Sequence, residues 1–371
     1  MPGGRDPMVA TAIPVLLGIP YNLLAIAGAV RFCRGVTASN FRPPVSILKP
    51  VRGRDPGFYE AIRSHAAQRY PEFEILFGVA DPADPALEDI SRLRAEFPSV
   101  PVRVIGTAND APNRKVGALE LLSRAARYDT LLVNDGDIRV EPDYLIRVLA
   151  LLGDPGVGLV TCLYRGRGGS LPSRAEALGI ATEFAPSVLV ARLLSSSGFA
   201  LGSTMAFRRR ELDAIGGFAS IREFLADDYQ LGARISALGK RVAMADTVVE
   251  TNLGSGDWGE VWRHQTRWSR TIRVSRPAGY LGYAVTQATL WCLVAALAGS
   301  WTVAVAGLAA RMAAAAASMK AVGCWDPVEW LAVPFRDLLG FAVWCAGFAG
   351  REVEWRGTRF RLQADGRIVE I

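Results

Sequence analysis

Two long stretches of this chain carry no charged side chain, Met8–Val30 and Pro277–Ala310. Between them, apolar residues come in short bursts separated by polar turns. A bilayer core needs about 20 apolar residues of helix. The first stretch therefore predicts one spanning helix. The second predicts one long tilted helix, or two with a break near Gly299 and Ser300. Ala27-Gly28-Ala29 looks like a signal-peptidase site, but the apolar run is longer than the roughly 7–15 residues of a signal core, so an uncleaved anchor is predicted. Pro14 and Pro20 would kink it, which membranes tolerate. A third apolar stretch, Trp330–Gly350, includes Arg336 and Asp337, so it suits a re-entrant or interfacial segment as well as a crossing.

From Pro44 onward the pattern alternates between continuous apolar runs and helical periodicity. Strands are predicted at Val45–Leu48, Phe73–Ala80, Val102–Ile105, Thr130–Asn134, Val157–Tyr164, Ser203–Phe207 and Arg241–Glu250. Helices are predicted at Phe58–Tyr70, Asp84–Phe97, Arg114–Tyr128, Glu176–Leu194 and Ala226–Leu238. Fully apolar strands joined by helical crossovers point to an α/β fold with a mostly parallel sheet. Ligands of such sheets bind at the carboxyl ends of the strands, where Lys49, Asp81, Asp135 and Asp137 fall.

Composition narrows the chemistry. The chain has 371 residues, five cysteines and two histidines. The cysteines form no CxxC pair, which argues against a zinc site or a disulfide framework and suits a reducing compartment. With only His65 and His264, imidazole metal sites and a Ser-His-Asp triad are disfavoured. The net charge of +6 resides largely in arginines flanking the apolar stretches, which favours an anionic membrane surface over nucleic acid. Arg31, Arg34 and Arg42 follow the first stretch and only Arg5 precedes it, which places the middle of the chain in the cytoplasm. In Asp257–Arg276, tryptophans at near-helical spacing interleave with Arg263, Arg267, Arg270 and Arg273. Such a helix suits the membrane interface; the plainer reading is a surface helix. The resulting division is 1–41 anchor and linker, 42–256 α/β domain, 257–276 interfacial helix, 277–350 C-terminal membrane region and 351–371 cytoplasmic tail.

The strand Thr130–Asn134 runs into Asp135-Gly136-Asp137. Two carboxylates so close repel unless a cation lies between them. Hard oxygen ligands suit Mg²⁺ or Mn²⁺, completed by water and phosphate. A solvated acidic loop is the bland alternative. Asn113-Arg114-Lys115 opens a helix, whose amides and basic side chains suit an anion. Asp81 either meets a nucleobase N–H or begins the turn Asp81-Pro82. Asp227-Asp228 either favours a helix dipole or supplies a general base. Arg267-Trp268 pairs a phosphate-binding guanidinium with an aromatic plane.

The motifs KPVRG (49–53), VADPADP (79–85), NRKVGAL (113–119), NDGDIRV (134–140), ADDY (226–229) and HQTRW (264–268) together resemble family-2-type inverting glycosyltransferases. Their order and the tail VEWRGTRFRL (353–362) are similar to the ceramide glucosyltransferase branch, including its bacterial hopanoid-associated members. The resemblance implies a GT-A-like nucleotide-sugar domain. It implies that Asp81 contacts uracil and that Lys49, Pro50 and Gly53 wall the nucleotide. Asp135 would bind donor and metal, with Asp137 as the second metal ligand. Asp228 would be the catalytic base. Lys115 and Arg267 would stabilise the departing diphosphate, with His264 and Trp268 completing the donor site. His264 stands where the family has Gln or Arg. The implied reaction moves a sugar from a UDP-sugar to a lipid hydroxyl at the bacterial inner membrane, with the catalytic domain facing the cytoplasm. N-acetylglucosamine onto a bacteriohopanetetrol-type hopanoid is the first expectation, and glucose onto ceramide the alternative. Outside this class, a non-catalytic nucleotide-sugar-binding scaffold is weighed. So is a dinucleotide oxidoreductase, whose only support, Arg165–Gly169, lacks the third glycine of GxGxxG.

Overall fold

The computed structural model describes residues 7–35, 39–194 and 198–371. Arg5, used above for the charge asymmetry, lies outside them. The chain divides into two units. A sheet unit comprises Gly35–Arg167, Ser197–Gly254 and Trp355–Ile371, and a helical unit comprises Met1–Arg34, Gly168–Ser196 and Ser255–Glu354.

The sheet unit is built on eight strands: β1 (Val45–Val51), β2 (Phe73–Val79), β3 (Val102–Gly106), β4 (Thr130–Val133), β5 (Ile138–Arg139), β6 (Val157–Arg167), β7 (Met205–Arg208) and β8 (Arg241–Asn252). Their order is β3-β2-β1-β4-β7-β6-β8-β5. The first four are parallel, with Leu48 opposite both Leu76 and Val133. β7 runs antiparallel to β4 and β6, β6 and β8 are parallel, and β5 is antiparallel to β8. The parallel half follows from the sequence: β2 and β4 are buried at every position, so both faces need helical cover. Leu119 and Leu122 of the helix Arg114–Ala125 pack with Leu48, Leu76, Leu131 and Phe207 in one buried cluster. The carboxyl ends of β1, β2 and β4 thus open on one edge, at Lys49–Val51, Asp81 and Asn134–Asp135.

In the helical unit, Pro7–Cys33 is one helix that runs through Pro14 and Pro20. The helices at Ala10–Cys33 and Trp301–Ala321 are long and apolar enough to cross a membrane. Pro277–Thr286 and Ala288–Leu297, bent by 47°, make a third candidate if they count as one span. The stretch 277–310 therefore breaks at Gly299, whose φ is +88°, and once more at Gln287. Glu176–Leu194, expected as one helix, is two, Leu171–Gly179 and Ala185–Leu193, joined by a wide π turn at Ile180–Phe184. Pro186, which has no N–H for the Thr182 carbonyl, immediately follows that turn.

The helix Val333–Phe348 turns its two charges inward. Asp337 accepts from Arg311 at 2.6 and 3.0 Å and from Thr289 at 2.5 Å. Arg336 reaches the Ala175 carbonyl at 2.9 Å, Gln265 at 2.9 Å and Glu183 at 3.2 Å. These bonds draw 168–196 into the helical unit, whereas the linear reading kept it within 42–256. The linear reading also made 351–371 a separate tail. Instead it carries β9 (Glu352–Trp355), β10 (Thr358–Leu362) and β11 (Ile368–Glu370), a second sheet in the order β11-β10-β9. Residues from Trp355 belong with the sheet unit, where Ile368 N donates to the Glu223 carbonyl at 2.8 Å.

Candidate active site

β4 delivers the acidic loop, and Asn134 anchors it. This fully buried amide donates to Ser203 O at 2.7 Å, Tyr144 OH at 2.9 Å and Thr204 Oγ1 at 3.2 Å, and its Oδ1 faces His65 Nε2 at 3.1 Å. Burial, and then the Lys49 charge, push His65 well below its usual pKa, so it stays neutral. Lys49 is also fully buried, and its Nζ donates to the Asp135 carbonyl at 3.1 Å. Burial drives its pKa down to about 7 against the pull of Asp137 and Asp135. Lys49 therefore holds the loop backbone from within the sheet.

Beyond this anchor the two carboxylates diverge in environment. Asp135 is part-exposed and pairs with Lys115 Nζ at 2.8 Å. Asp137 accepts from Thr251 Oγ1, and burial followed by the Asp135 charge raises its pKa. Gly136 needs no positive φ, and a methyl there would meet Phe58 and Asp55 only at ordinary contact distances of 3.6 and 3.8 Å. Steric necessity therefore does not explain this glycine.

Lys115 stands at the start of the helix Arg114–Ala125, whose N-cap Asn113 accepts from Val116 N at 3.2 Å. Asn113 also donates to Phe224 O at 2.8 Å and, through its backbone, to Arg222 O at 2.9 Å. One residue thus fixes Lys115 and the segment leading to Asp227 and Asp228. The Lys115 ammonium lies 3.2 Å from Asp227 Oδ2 as well. Burial pulls the Lys115 pKa down, but Asp135 and Asp227 carry it above its normal value, so it stays charged. Asp228 Oδ2 accepts from Gly202 N at 2.9 Å and Oδ1 from Tyr229 N at 2.7 Å. Burial and the neighbouring Asp227 push the Asp228 carboxyl up to about 6. Asp227 is raised too, by burial first, against the Lys115 charge.

The remaining residues singled out from sequence make other contacts. Asp81 is exposed and caps its own turn through Ala83 N at 2.8 Å. Asp84, not anticipated, ties that turn to the β1 loop by accepting from Gly53 N at 2.7 Å. Gly53 has a φ of +72°, which only glycine adopts readily. Pro50 lies within β1, paired with Gly78. His264, Arg267 and Trp268 belong to the helical unit. There His264 Nδ1 meets Glu176 Oε1 at 2.5 Å, and its ring abuts Trp268 edge-on at 4.6 Å. Arg114 bonds the Asn109 carbonyl and takes no part in the acidic cluster.

A charged lysine thus bridges carboxylates from two elements at the open edge of the parallel sheet. The profile of glycosyl transferase family 21 matches residues 10–368. The chain belongs to glycosyl transferase family 21. Ceramide glucosyltransferase 1 of Caenorhabditis elegans is 27% identical over 209 residues, 55% of this chain and 44% of that protein. Ceramide glucosyltransferase 3 of the same organism is 25% identical over 232 residues, 61% of this chain and 50% of that protein. The family 21 chain thus spans about half the length of the curated relatives it matches. Among solved structures, a mannosyltransferase from Pyrobaculum calidifontis in complex with GDP-Man and Mn2+ superposes with a TM-score of 0.57 at 21% identity. The match covers 92% of this chain and 97% of that one. That likeness is one of fold, and the fold is GT-A-like.

The donor set fits a hard divalent ion. Asp135 and Asp137 offer carboxylate oxygens two residues apart, and burial and then the Asp135 charge raise the Asp137 pKa, a repulsion that a cation between them would relieve. No group of three or more His, Cys, Asp or Glu side chains gathers there among the described residues. Water and phosphate oxygens would complete the shell of such an ion.

Proposed function

We propose that this chain is a membrane-bound inverting hexosyltransferase that moves a sugar from a UDP-sugar to a lipid hydroxyl. The observation that carries this reading is the Lys115 bridge between Asp135 and Asp227, beside Asp228. This bridge offers a fixed positive charge that could meet the negative charge developing on a nucleotide diphosphate, with a carboxylate of raised pKa among its neighbours. Asp228 would take the proton of the acceptor hydroxyl as its oxygen attacks the anomeric carbon. One displacement inverts the configuration, so an α-linked donor gives a β-glycoside. Lys115 would remain protonated and stabilise the leaving diphosphate. Asp135 and Asp137 would hold a Mg²⁺ or Mn²⁺ ion, which when bound adds counter-charge for the same phosphates.

On motif resemblance, N-acetylglucosamine and a bacteriohopanetetrol-type hopanoid are the favoured donor sugar and acceptor. The names of the curated relatives favour glucose and ceramide as the second reading. The apolar helices support a lipid acceptor and a membrane location, taken to be the bacterial inner membrane with the sheet unit in the cytoplasm. The deciding experiment offers UDP-glucose and UDP-N-acetylglucosamine to the detergent-purified protein, with a polyhydroxylated hopanoid or ceramide, with Mg²⁺, Mn²⁺ or chelator. Mass spectrometry should find one lipid heavier by one sugar, and the product should vanish in Asp228→Asn. A lipid that gains mass equally in the variant would remove Asp228 from the reaction.

A further inference from the structure

The turn of the C-terminal hairpin packs against the loop after β1, at Arg52 and Asp55. β9 and β10 are joined by two residues, Arg356 and Gly357, with φ of +53° and +79°. Positive φ at both positions marks a type I′ turn, for which Asn-Gly or Gly-Gly is usual. Arg356 is the one non-glycine residue with positive φ among the described residues. An arginine kept in an unfavourable backbone region invites a functional explanation. Its guanidinium grips both oxygens of Asp55 at 2.9 Å and donates to the Arg52 carbonyl at 3.1 Å. Asp55 Oδ2 in turn lies 3.8 Å from where a Cβ on Gly136 would stand. Burial pulls the Arg356 pKa down, but Asp55, and then Asp135 and Asp137, hold it above its usual value.

The far end of the same small sheet docks at the other side of the cluster. Arg367 bridges Phe224 in the backbone, lies over its ring at 5.9 Å and pairs with Glu223 at 3.5 Å. Phe224 is the residue whose carbonyl Asn113 holds, just before Asp227. The tail therefore spans from the Asp227–Asp228 segment to the Asp55–Gly136 loop, all within the sheet unit.

We propose that Arg356 is a donor-phosphate-binding residue, supplied to the acidic loop by the turn of the tail hairpin. This inference rests on the nucleotide-sugar reading above. A guanidinium carries five N–H donors in a planar fork, and its three bonds to Asp55 and Arg52 do not exhaust them. Asp55 orients the fork, and Arg356 adds a positive charge felt by Asp135 and Asp137. It also gives a reason for the strained turn: Gly-Gly would relieve the backbone but remove the cation.

The test compares UDP with uridine binding to the full-length protein in detergent by calorimetry. In Arg356→Ala the UDP Kd should rise about tenfold, as for loss of a charge-assisted phosphate contact. The uridine Kd should stay put, because uridine has no phosphate. Arg356→Lys should recover part of the loss. In Asp55→Asn, which keeps the guanidinium, UDP should bind at least as tightly as to wild type. Equal weakening of UDP and uridine in Arg356→Ala would assign Arg356 a purely structural role and overturn the proposal, as would an unchanged UDP Kd. A wild-type protein that binds neither UDP nor GDP would sink the nucleotide-sugar reading itself, and the Arg356 role with it.

Discussion

Lys115 serves carboxylates on two different elements, and its removal would leave Asp135 and the buried Asp227 repelling each other with no cation between them. Breaking the largely buried Lys115–Asp227 pair from one side costs roughly 3–5 kcal/mol, with the more exposed Asp135 adding less. Lys115→Met should therefore lower the unfolding temperature sharply, and Lys115→Met with Asp227→Asn should lower it less. Equal losses would mean that the bridge contributes little. Asp228 behaves in the opposite sense. Its folded pKa is about 6, above the usual carboxyl value. The native state thus holds a proton that the unfolded state has already lost between pH 4 and 6, and the cost of ionising it is fully present above pH 6. Asp228→Asn should then raise the unfolding temperature at pH 7.5 and lose that advantage near pH 4, while transfer falls by a factor of about 10² or more. The wild-type rate should decline as pH drops through about 6, because the base must be ionised. A rate flat from pH 5 to 8 would rule Asp228 out as that base.

At the scale of elements, the helix Asp227–Ala237 is set by its contact with the chain before β7. A Cβ added at Gly232 would press into the backbone of Phe199 and Ala200. Backbone cannot yield as a side chain can, so Gly232→Ala should shift the helix away from Gly202, whose N–H holds Asp228. A stability loss of about 1–3 kcal/mol and a fall in kcat larger than any change in donor KM are expected; an unaltered kcat would show that the helix can shift without disturbing Asp228. Elements with strong periodicity were legible before any coordinates: β1, β2, β4 and the helix after Asn113 lie where apolar runs place them. β5 has two residues and no pattern to detect. In β10 the alternation of Phe360 and Leu362 with Arg359 and Arg361 was visible, but its charge density reads as a solvated tail. Asp135, Asp137 and Asp228 stood out as acids beside apolar runs. Asn134 and Arg356 were visible only as members of motifs and Asp55 not at all, because the partners that give them their roles are brought together only by folding.

At the scale of the whole molecule, charges inside apolar helices act as cross-links. Asp337 ties Arg311 and Thr289, and thus three helices of the helical unit. Arg311→Met or Asp337→Leu alone would strand one buried charge. The double replacement should recover much of the folded yield in detergent, as isolated buried pairs often do when both partners become apolar. A double variant no better than either single would mean that the pair is needed for more than charge balance. Carbonate washing should leave the wild-type protein in the membrane pellet, as expected for helices able to cross it; its release into the supernatant would contradict a spanning anchor. The assignment of Trp355–Ile371 to the sheet unit has a consequence in time. A ribosome adding about 5–20 residues per second makes the first apolar helix, then the eight strands, then the remaining apolar helices, and the Arg356 hairpin only afterwards. The eight-stranded sheet must therefore wait without that hairpin while the later apolar helices are made. Chains stalled before that last segment would lack the Arg356 guanidinium, so on the proposal above an unassembled copy would hold an activated sugar more weakly.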